Sequence, residues 1–322
     1  MSELSRRRTL VIGALSMMGL LSAQGAEGKN TARAQHAAPS ETPEDFSEAS
    51  TRFGLDLLLQ LARQDSVEAN FAVSPASVLA VFSLADIGAS PTFHAAMQKT
   101  FHLGGGKATD LAALRHSLAL LFADDSSPAP LSGVDALYVD EGVRLKAGAL
   151  DAVKALHARI ESRRLAEPAV VDEINALVRD RTKGEIPTII DGSLAGAALV
   201  LVNALYFKDA WESAFDKGVT QDWDFHLASG KTSRVPMMRA DVRSLPAGEN
   251  GAFAAIQLPY DTDGYSLIVV VNREKPAQPS DFAPVAAWLT GSGLAQRQAR
   301  VSLPRFAFKG GADILQIGRA HV

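Results

Sequence analysis

The sequence predicts an α+β domain behind an export segment, and three observations carry that prediction. Apolar residues recur at helical spacing in several stretches between Asp45 and Lys183. Short apolar runs bounded by turn residues dominate from Ala198 onward. The first thirty-four residues combine arginines, an apolar stretch and small residues.

At 322 residues, 47% hydrophobic and 21% charged, the chain can bury one large core or two small ones. A formal net charge of −4 and a pI near 6.0 argue against a nucleic-acid partner. There is no cysteine, which removes disulfide frameworks, thiolate zinc sites and cysteine nucleophiles together.

Residues 1–34 are expected to be an export signal and the start of a linker, and residues 35–44 flexible linker. Ser5-Arg6-Arg7-Arg8 precedes the apolar stretch Leu10–Leu21 and small residues at Ala23–Ala26. That stretch is too short to span a bilayer as a helix. The arginine pair suits the twin-arginine route, although Thr9 stands where Phe is usual. Cleavage after Gly25 and cleavage after Ala34 both fit. The expected location is extracellular or periplasmic, with no membrane attachment once the signal is gone.

The domain proper is expected over residues 45–316. Phe46, Ser50, Phe53, Leu57 and Leu61 share one helical face, predicting a helix over Asp45–Gln64. Asn70–Val73 reads as a short strand running into a helix. Ser74 is a natural N-cap there, Pro75 a natural first residue, and Val78, Val81, Phe82 and Ala85 the core stripe. Ser90-Pro91 repeats the cap for a helix carrying Phe93, Met97 and Phe101. Gly104–Lys107 lacks the glycine and hydroxyl spacing of a phosphate loop and reads as a turn. Helices over Asp110–Phe122 and Ala147–Ile160 flank a strand at Val134–Val139. A helix from Val171 ends at Gly184, which can take positive φ.

Ala198–Val202 is an apolar run suited to a strand buried on both faces, interrupted by Asn203. A buried amide costs stability unless partners meet it. Tyr206, Phe207, Trp211, Phe215 and Trp223 then crowd one short segment. Phe253–Tyr260 and Tyr265–Val271 form a hairpin around Asp261-Thr262-Asp263-Gly264. Val301 and Leu303 alternate in one phase and Phe306 and Phe308 in the other, so a bulge or bend is expected at Pro304.

The run N-A-L-Y-F-K-x-x-W-x-x-x-F at Asn203–Phe215, with Thr220 and Phe225 beyond it, resembles the central fingerprint of the serpins, the serine-protease-inhibitor fold. N-F-x-x-S-P-x-S at Asn70–Ser77 is similar to that family's second-helix motif. I-N-x-x-V-x-x-x-T-K-G-x-I at Ile174–Ile186 resembles the segment leading to its central strand. Val235–Met238, Leu258-Pro259-Tyr260 and V-S-L-P-R-F-A-F from Val301 also match, the last resembling the sixth strand of the main sheet.

The resemblance implies a serpin-like α+β domain of several helices and three β-sheets, of bacterial type. It implies no enzyme and no cofactor or metal, but a monomer inhibiting a serine or cysteine endopeptidase. In such an inhibitor the protease cleaves an exposed loop and is held as an acyl-enzyme while the loop inserts into the main sheet. Asn70, Ser74, Ser77 and Asn203 match the shutter-like cluster beneath the parting strands. Trp211, Thr220 and Arg305 match the breach-like region where the loop first goes in, and Asp209 replaces a usual Gly. A chaperone, carrier or binding role without inhibition would share all of these residues.

The loop and the last strands are expected to be absent from these residues, so no protease-contacting residue can be named. Ile317–Val322 reads like translated sequencing adapter on a truncated gene. Other chemistry is excluded by spacing. Gly264-Tyr265-Ser266-Leu267-Ile268 breaks the G-x-S-x-G pattern, and no H-E-x-x-H occurs. His94 and His102 are not spaced as a ligand pair, and His157 and His226 stand alone. Arg159, Arg163 and Arg164 read as a solvated helix end.

Overall fold

Serine caps start two of the helices of the N-terminal half. In this computed structural model, residues 14–17, 43–62, 72–87, 89–103, 114, 130–145, 148–154, 158–227, 230–274 and 279–307 are described. Asn70, the turn at 104–107, the helix 110–122 apart from its buried helical Leu114, and everything beyond 307 lie outside them.

Helix α1 spans Pro43–Ala62 and buries Phe53, Leu57 and Leu61 at the predicted spacing. Helix α2 spans Pro75–Asp86 and α3 Pro91–Thr100. Ser74 Oγ accepts from Ser77 N at 3.2 Å, and Ser90 Oγ from Phe93 N at 3.2 Å. Each bond satisfies an otherwise orphaned first-turn amide. The buried face of α2 is Leu79, Ala80, Ser83 and Leu84, not the predicted stripe. Nearly every residue of α2 is apolar, so periodicity could not choose a face.

The contacts divide the chain into two compact units. One is built on Ser40–Ser50 and Ser74–Lys208, the other on Thr51–Val73 and the chain from Asp209. The first holds a three-stranded sheet. Strand β2 (Leu131–Asp140) lies between β3 (Arg159–Arg163), parallel to it, and β4 (Leu199–Phe207), antiparallel to it. The helix expected over 147–160 ends early, since α4 is Ala149–Lys154 and Arg159–Arg163 is strand. R-I-E-S-R alternates with period two, setting Arg159, Glu161 and Arg163 on one face and Ile160 beside Leu137 on the other.

Helix α5 (Pro168–Arg181) packs Val170, Ile174 and Val178 on Val134, Ala136, Tyr138, Val202 and Ala204. Full burial of Ile174 alone is worth about 2–3 kcal/mol. Gly184 takes φ +87° and donates its N–H to Arg179 O at 2.8 Å, ending α5 as expected. The opposite face of the sheet packs Leu137, Val139 and Leu201 against Leu84 and Ile87 at the end of α2 and Val153 of α4.

The second unit holds six strands in the order β1–β8–β7–β6–β5, with β9 also on β6. They are β1 (Ala14–Met17), β5 (Gln221–His226), β6 (Thr232–Asn250), β7 (Phe253–Pro259), β8 (Tyr265–Asn272) and β9 (Ala295–Pro304). The described strands thus make two sheets. The 19-residue β6 pairs with β5 and β9 near its start and with β9 and β7 near its end, joining what would be two sheets. Val301–Pro304 pairs with Ala240–Met237 of β6, not with the three-stranded sheet that its resemblance to a main-sheet strand suggested. The bulge expected at Pro304 lies instead across the register shift between Ala240 and Arg243 on β6, and β9 ends at Pro304.

Gly248 of β6 lies under the Trp288 indole, where an added Cβ would meet Cε2 at 2.9 Å. Trp288 is buried with Phe282, Val285 and Ile268 and has no room to retreat. Gly248→Ala is expected to lower unfolding stability by about 1–3 kcal/mol in urea titration.

Candidate functional site

Of the expected site residues of the first unit, Asn203 lies on β4, an outer strand among those described, and Ser74 and Ser77 at the start of α2. Lys208 N donates to Pro130 O at 2.9 Å and Asp140 N to Ala198 O at 3.1 Å, which fixes the phase of the β2–β4 pairing. Val200, Val202, Ala204 and Tyr206 therefore turn their peptide groups toward β2. Leu199, Leu201, Asn203, Leu205 and Phe207 turn theirs toward the other edge, which no described strand covers. The run Ala198–Val202 is accordingly not buried on both faces. Leu199 is 40% exposed, and only Val202 and Ala204 of β4 are fully covered.

Asn203 stands directly across from Asp135 at a position where the two strands exchange no backbone bonds and side chains come closest. Its Nδ2 donates to Asp135 Oδ1 at 2.6 Å, while its own Oδ1 is buried without a partner. Burial pushes the Asp135 carboxyl up from 3.8 to about 6, and the Asn203 bond offsets part of that rise. Ionising Asp135 in the folded protein thus costs on the order of 3 kcal/mol relative to an unfolded chain. Asp135 was not singled out from the sequence. The available signal was one acid in the otherwise apolar run Val134–Val139.

Ser74 Oγ donates to Ser77 Oγ at 2.9 Å as well as capping α2. The two expected serines are thus brought together by the cap itself. Neither is hydrogen-bonded to Asn203 among the described residues, and Asn70 lies outside them.

Asn175 of α5 does the work of a clamp. Its Oδ1 accepts from Ile189 N and Ile190 N at 2.9 and 3.0 Å, and its Nδ2 donates to Ile190 O at 2.8 Å. These bonds hold the segment before β4 against α5, with Ile186 and Ile190 packed on the same core.

In the second unit, Trp211 stacks on Tyr260 with centroids 4.6 Å apart and meets Phe215 edge-on at 6.0 Å. Asp209, standing where the resembling family has Gly, accepts from Ala210 N at 2.8 Å and Thr262 N at 3.1 Å. It ties the turn before Trp211 to the β7–β8 hairpin. Burial, then the Asp209 charge, raises the Tyr260 and Tyr265 hydroxyls above their ordinary range. Arg243 donates to Ser213 O and Ala214 O at 2.8 and 3.0 Å, fastening the segment after Trp211 to β6. Trp211 packs on the cluster that includes Val301 and Leu303.

Thr220 and Arg305 lie on opposite sides of β6, near the register position shared by Gln221, Met237 and Pro304. Thr220 Oγ1 donates to Asp216 O at 3.2 Å, and Arg305 N donates to Pro236 O at 2.8 Å with its side chain exposed. No hydrogen bond joins Trp211, Thr220 and Arg305 to one another among the described residues.

The arginines read as a helix end are strand and loop residues in ion pairs. Arg159 meets Glu161 at 2.7 Å, Arg163 meets Glu173 at 2.9 Å, and Arg164 meets Glu141 at 3.2 Å. His94 is held by Asp86 at 2.9 Å. No group of three or more metal-ligating side chains occurs among the described residues.

The family description serpin (serine protease inhibitor) matches residues 48–317. The chain belongs to the serpin family. A serpin-like protein of Thermococcus kodakarensis is 28% identical over 273 residues, covering 81% of this chain and 61% of that protein. The leukocyte elastase inhibitor of Bos taurus is 26% identical over 288 residues, covering 84% and 75%. Ovalbumin from emu (Dromaius novaehollandiae) shares the fold with a TM-score of 0.72 at 22% identity, covering 85% of this serpin and 77% of the ovalbumin. This serpin therefore spans under two thirds of the archaeal relative's length. Its family is one of protease inhibitors, not of catalysts.

Replacing the clamp should show directly. Asn175→Ala is expected to cost about 1–3 kcal/mol in denaturant unfolding, because two amides and a carbonyl lose one shared partner.

Proposed function

We propose that this serpin is an exported suicide-substrate inhibitor of serine, and by extension cysteine, endopeptidases. The protease nucleophile attacks a carbonyl of an exposed loop, the peptide bond breaks, and the amine-side fragment leaves with a proton. The acyl-enzyme that remains is trapped when the freed loop adds to the three-stranded sheet. The observation that carries the reading is the match of residues 48–317 to the serpin (serine protease inhibitor) family. Leu199, Leu201, Asn203, Leu205 and Phe207 turn alternate backbone donors and acceptors to the side of β4 that no described strand covers. The loop that would be cleaved belongs to the part of the family's length outside the matches to residues 48–317.

In the same reading, Ser74, Ser77, Asn203 and Asn70 are the polar groups whose bonds are exchanged as the sheet opens. Trp211, Thr220 and Arg305 are the residues that match the family's loop-entry region. The arginine-rich start of the chain serves export, by the twin-arginine route.

The test is a protein expressed from the intact locus, read past the codon for Gln316 and mixed with trypsin, chymotrypsin and elastase. The expected result is an adduct of summed mass that survives boiling in detergent. Clean loop cleavage without any adduct would contradict inhibition and leave a carrier or chaperone role. Asn203→Ala in that protein is expected to speed polymer formation on mild heating, read on native gels. An unchanged rate would count against its place in the opening cluster.

A further inference from the structure

The described asparagines differ in what holds them. Asn175 is bonded through both ends of its amide to Ile189 and Ile190, and Asn203 donates to Asp135. Asn272 is buried, its Oδ1 accepting from Glu274 N at 2.9 Å. Asn250 is exposed, and its side-chain amide has no hydrogen-bond partner among the described residues. It is also the one asparagine of the sequence that glycine follows. We propose that Asn250 is a site of spontaneous self-modification, where the Gly251 peptide nitrogen closes on the side-chain amide and Asn250 becomes aspartate or isoaspartate.

The hairpin presents the two reacting groups. Asn250 pairs with Phe253 on the last rung between β6 and β7, so Gly251 and Ala252 alone make the turn. Gly251 takes φ +57°, the left-handed conformation that a two-residue loop needs and glycine adopts without strain. Its N–H at that corner has no hydrogen-bond partner among the described residues. A Cβ at Gly251 would meet nothing within 4 Å, so no side chain or packed neighbour screens the nitrogen. The same open space lets the turn swing the Asn250 amide over it.

The chemistry needs only water and hydroxide. Hydroxide removes the Gly251 N–H proton, and the nitrogen attacks Asn250 Cγ. The Cγ–Nδ2 bond breaks, and the departing nitrogen takes a proton from water and leaves as ammonia. Water then opens the five-membered imide at one of its two carbonyl–nitrogen bonds. Opening at Cγ gives aspartate. Opening at the main-chain carbonyl gives isoaspartate, whose backbone runs through the former side chain and is one methylene longer. That extra length falls on the rung that sets the hairpin. Phe253, directly opposite, packs on Phe282 with centroids 5.7 Å apart, beside Ile268, Val270 and Trp288. Lengthening the chain there shifts Phe253 and weakens that packing. The inference is separate from inhibition and its test uses no target protease, so either can fail alone.

The experiment incubates the purified protein at body temperature and mildly alkaline pH, folded and in urea, followed by peptide mapping. Acid should appear at Asn250 in the folded protein within about tenfold of its rate in urea, because opening an exposed turn costs little. Isoaspartate should be the larger product. Asn175, Asn203 and Asn272 should convert at least about a hundredfold more slowly while folded. Incubated wild type should unfold at lower urea than fresh protein, and Asn250→Gln, which closes a larger and slower ring, should not drift. Conversion of Asn250 in urea but not in the folded protein would overturn the proposal. So would earlier conversion at a bonded asparagine, or an equal drift in Asn250→Gln. Should that variant fail to fold, the wild-type mapping decides alone.

Discussion

The site residues on β4 depend on a strand that has only one described neighbour. An antiparallel pairing satisfies every second peptide of such a strand and leaves the others turned outward. Here the satisfied set is Val200, Val202, Ala204 and Tyr206, anchored at both ends by the Lys208–Pro130 and Asp140–Ala198 bonds. The outward set includes Asn203, whose side chain reaches back to Asp135 while its backbone faces the open edge. One residue thus belongs to both the closed and the open side of the strand.

The rest of the first unit holds that strand in place from below and behind. Helix α5 covers one face with Val170, Ile174 and Val178, and its Asn175 clamps the approach segment. Helix α2 meets the other face near its end, with its start set by the Ser74–Ser77 exchange. In the second unit, Asp209 and Arg243 do the equivalent fastening around Trp211 with side-chain bonds to backbone. Polar side chains here mostly satisfy main chain at places where chain direction changes.

Features set by neighbours in sequence were legible. Ser74-Pro75 and Ser90-Pro91 announce helix starts because cap and first turn are local, and Gly184 announces an end because its φ is a property of one residue. The family was legible because six motifs fall in order along the chain. What depended on distant partners was not. Arg159–Arg163 became strand because β2 was available beside it, and Arg159 and Arg163 pair with Glu161 and Glu173. Leu79 rather than Val78 faces inward because α2 is apolar nearly all round. Asp135 drew no attention because its partner lies 68 residues away.

The most direct test of the β4 account is residue-resolved amide hydrogen exchange under native conditions. The account predicts slow exchange at Val200, Val202, Ala204 and Tyr206. Leu201, Asn203 and Leu205 should exchange at least about a hundredfold faster. Equal protection along the whole strand would mean that its other edge is paired as well, and would contradict the account.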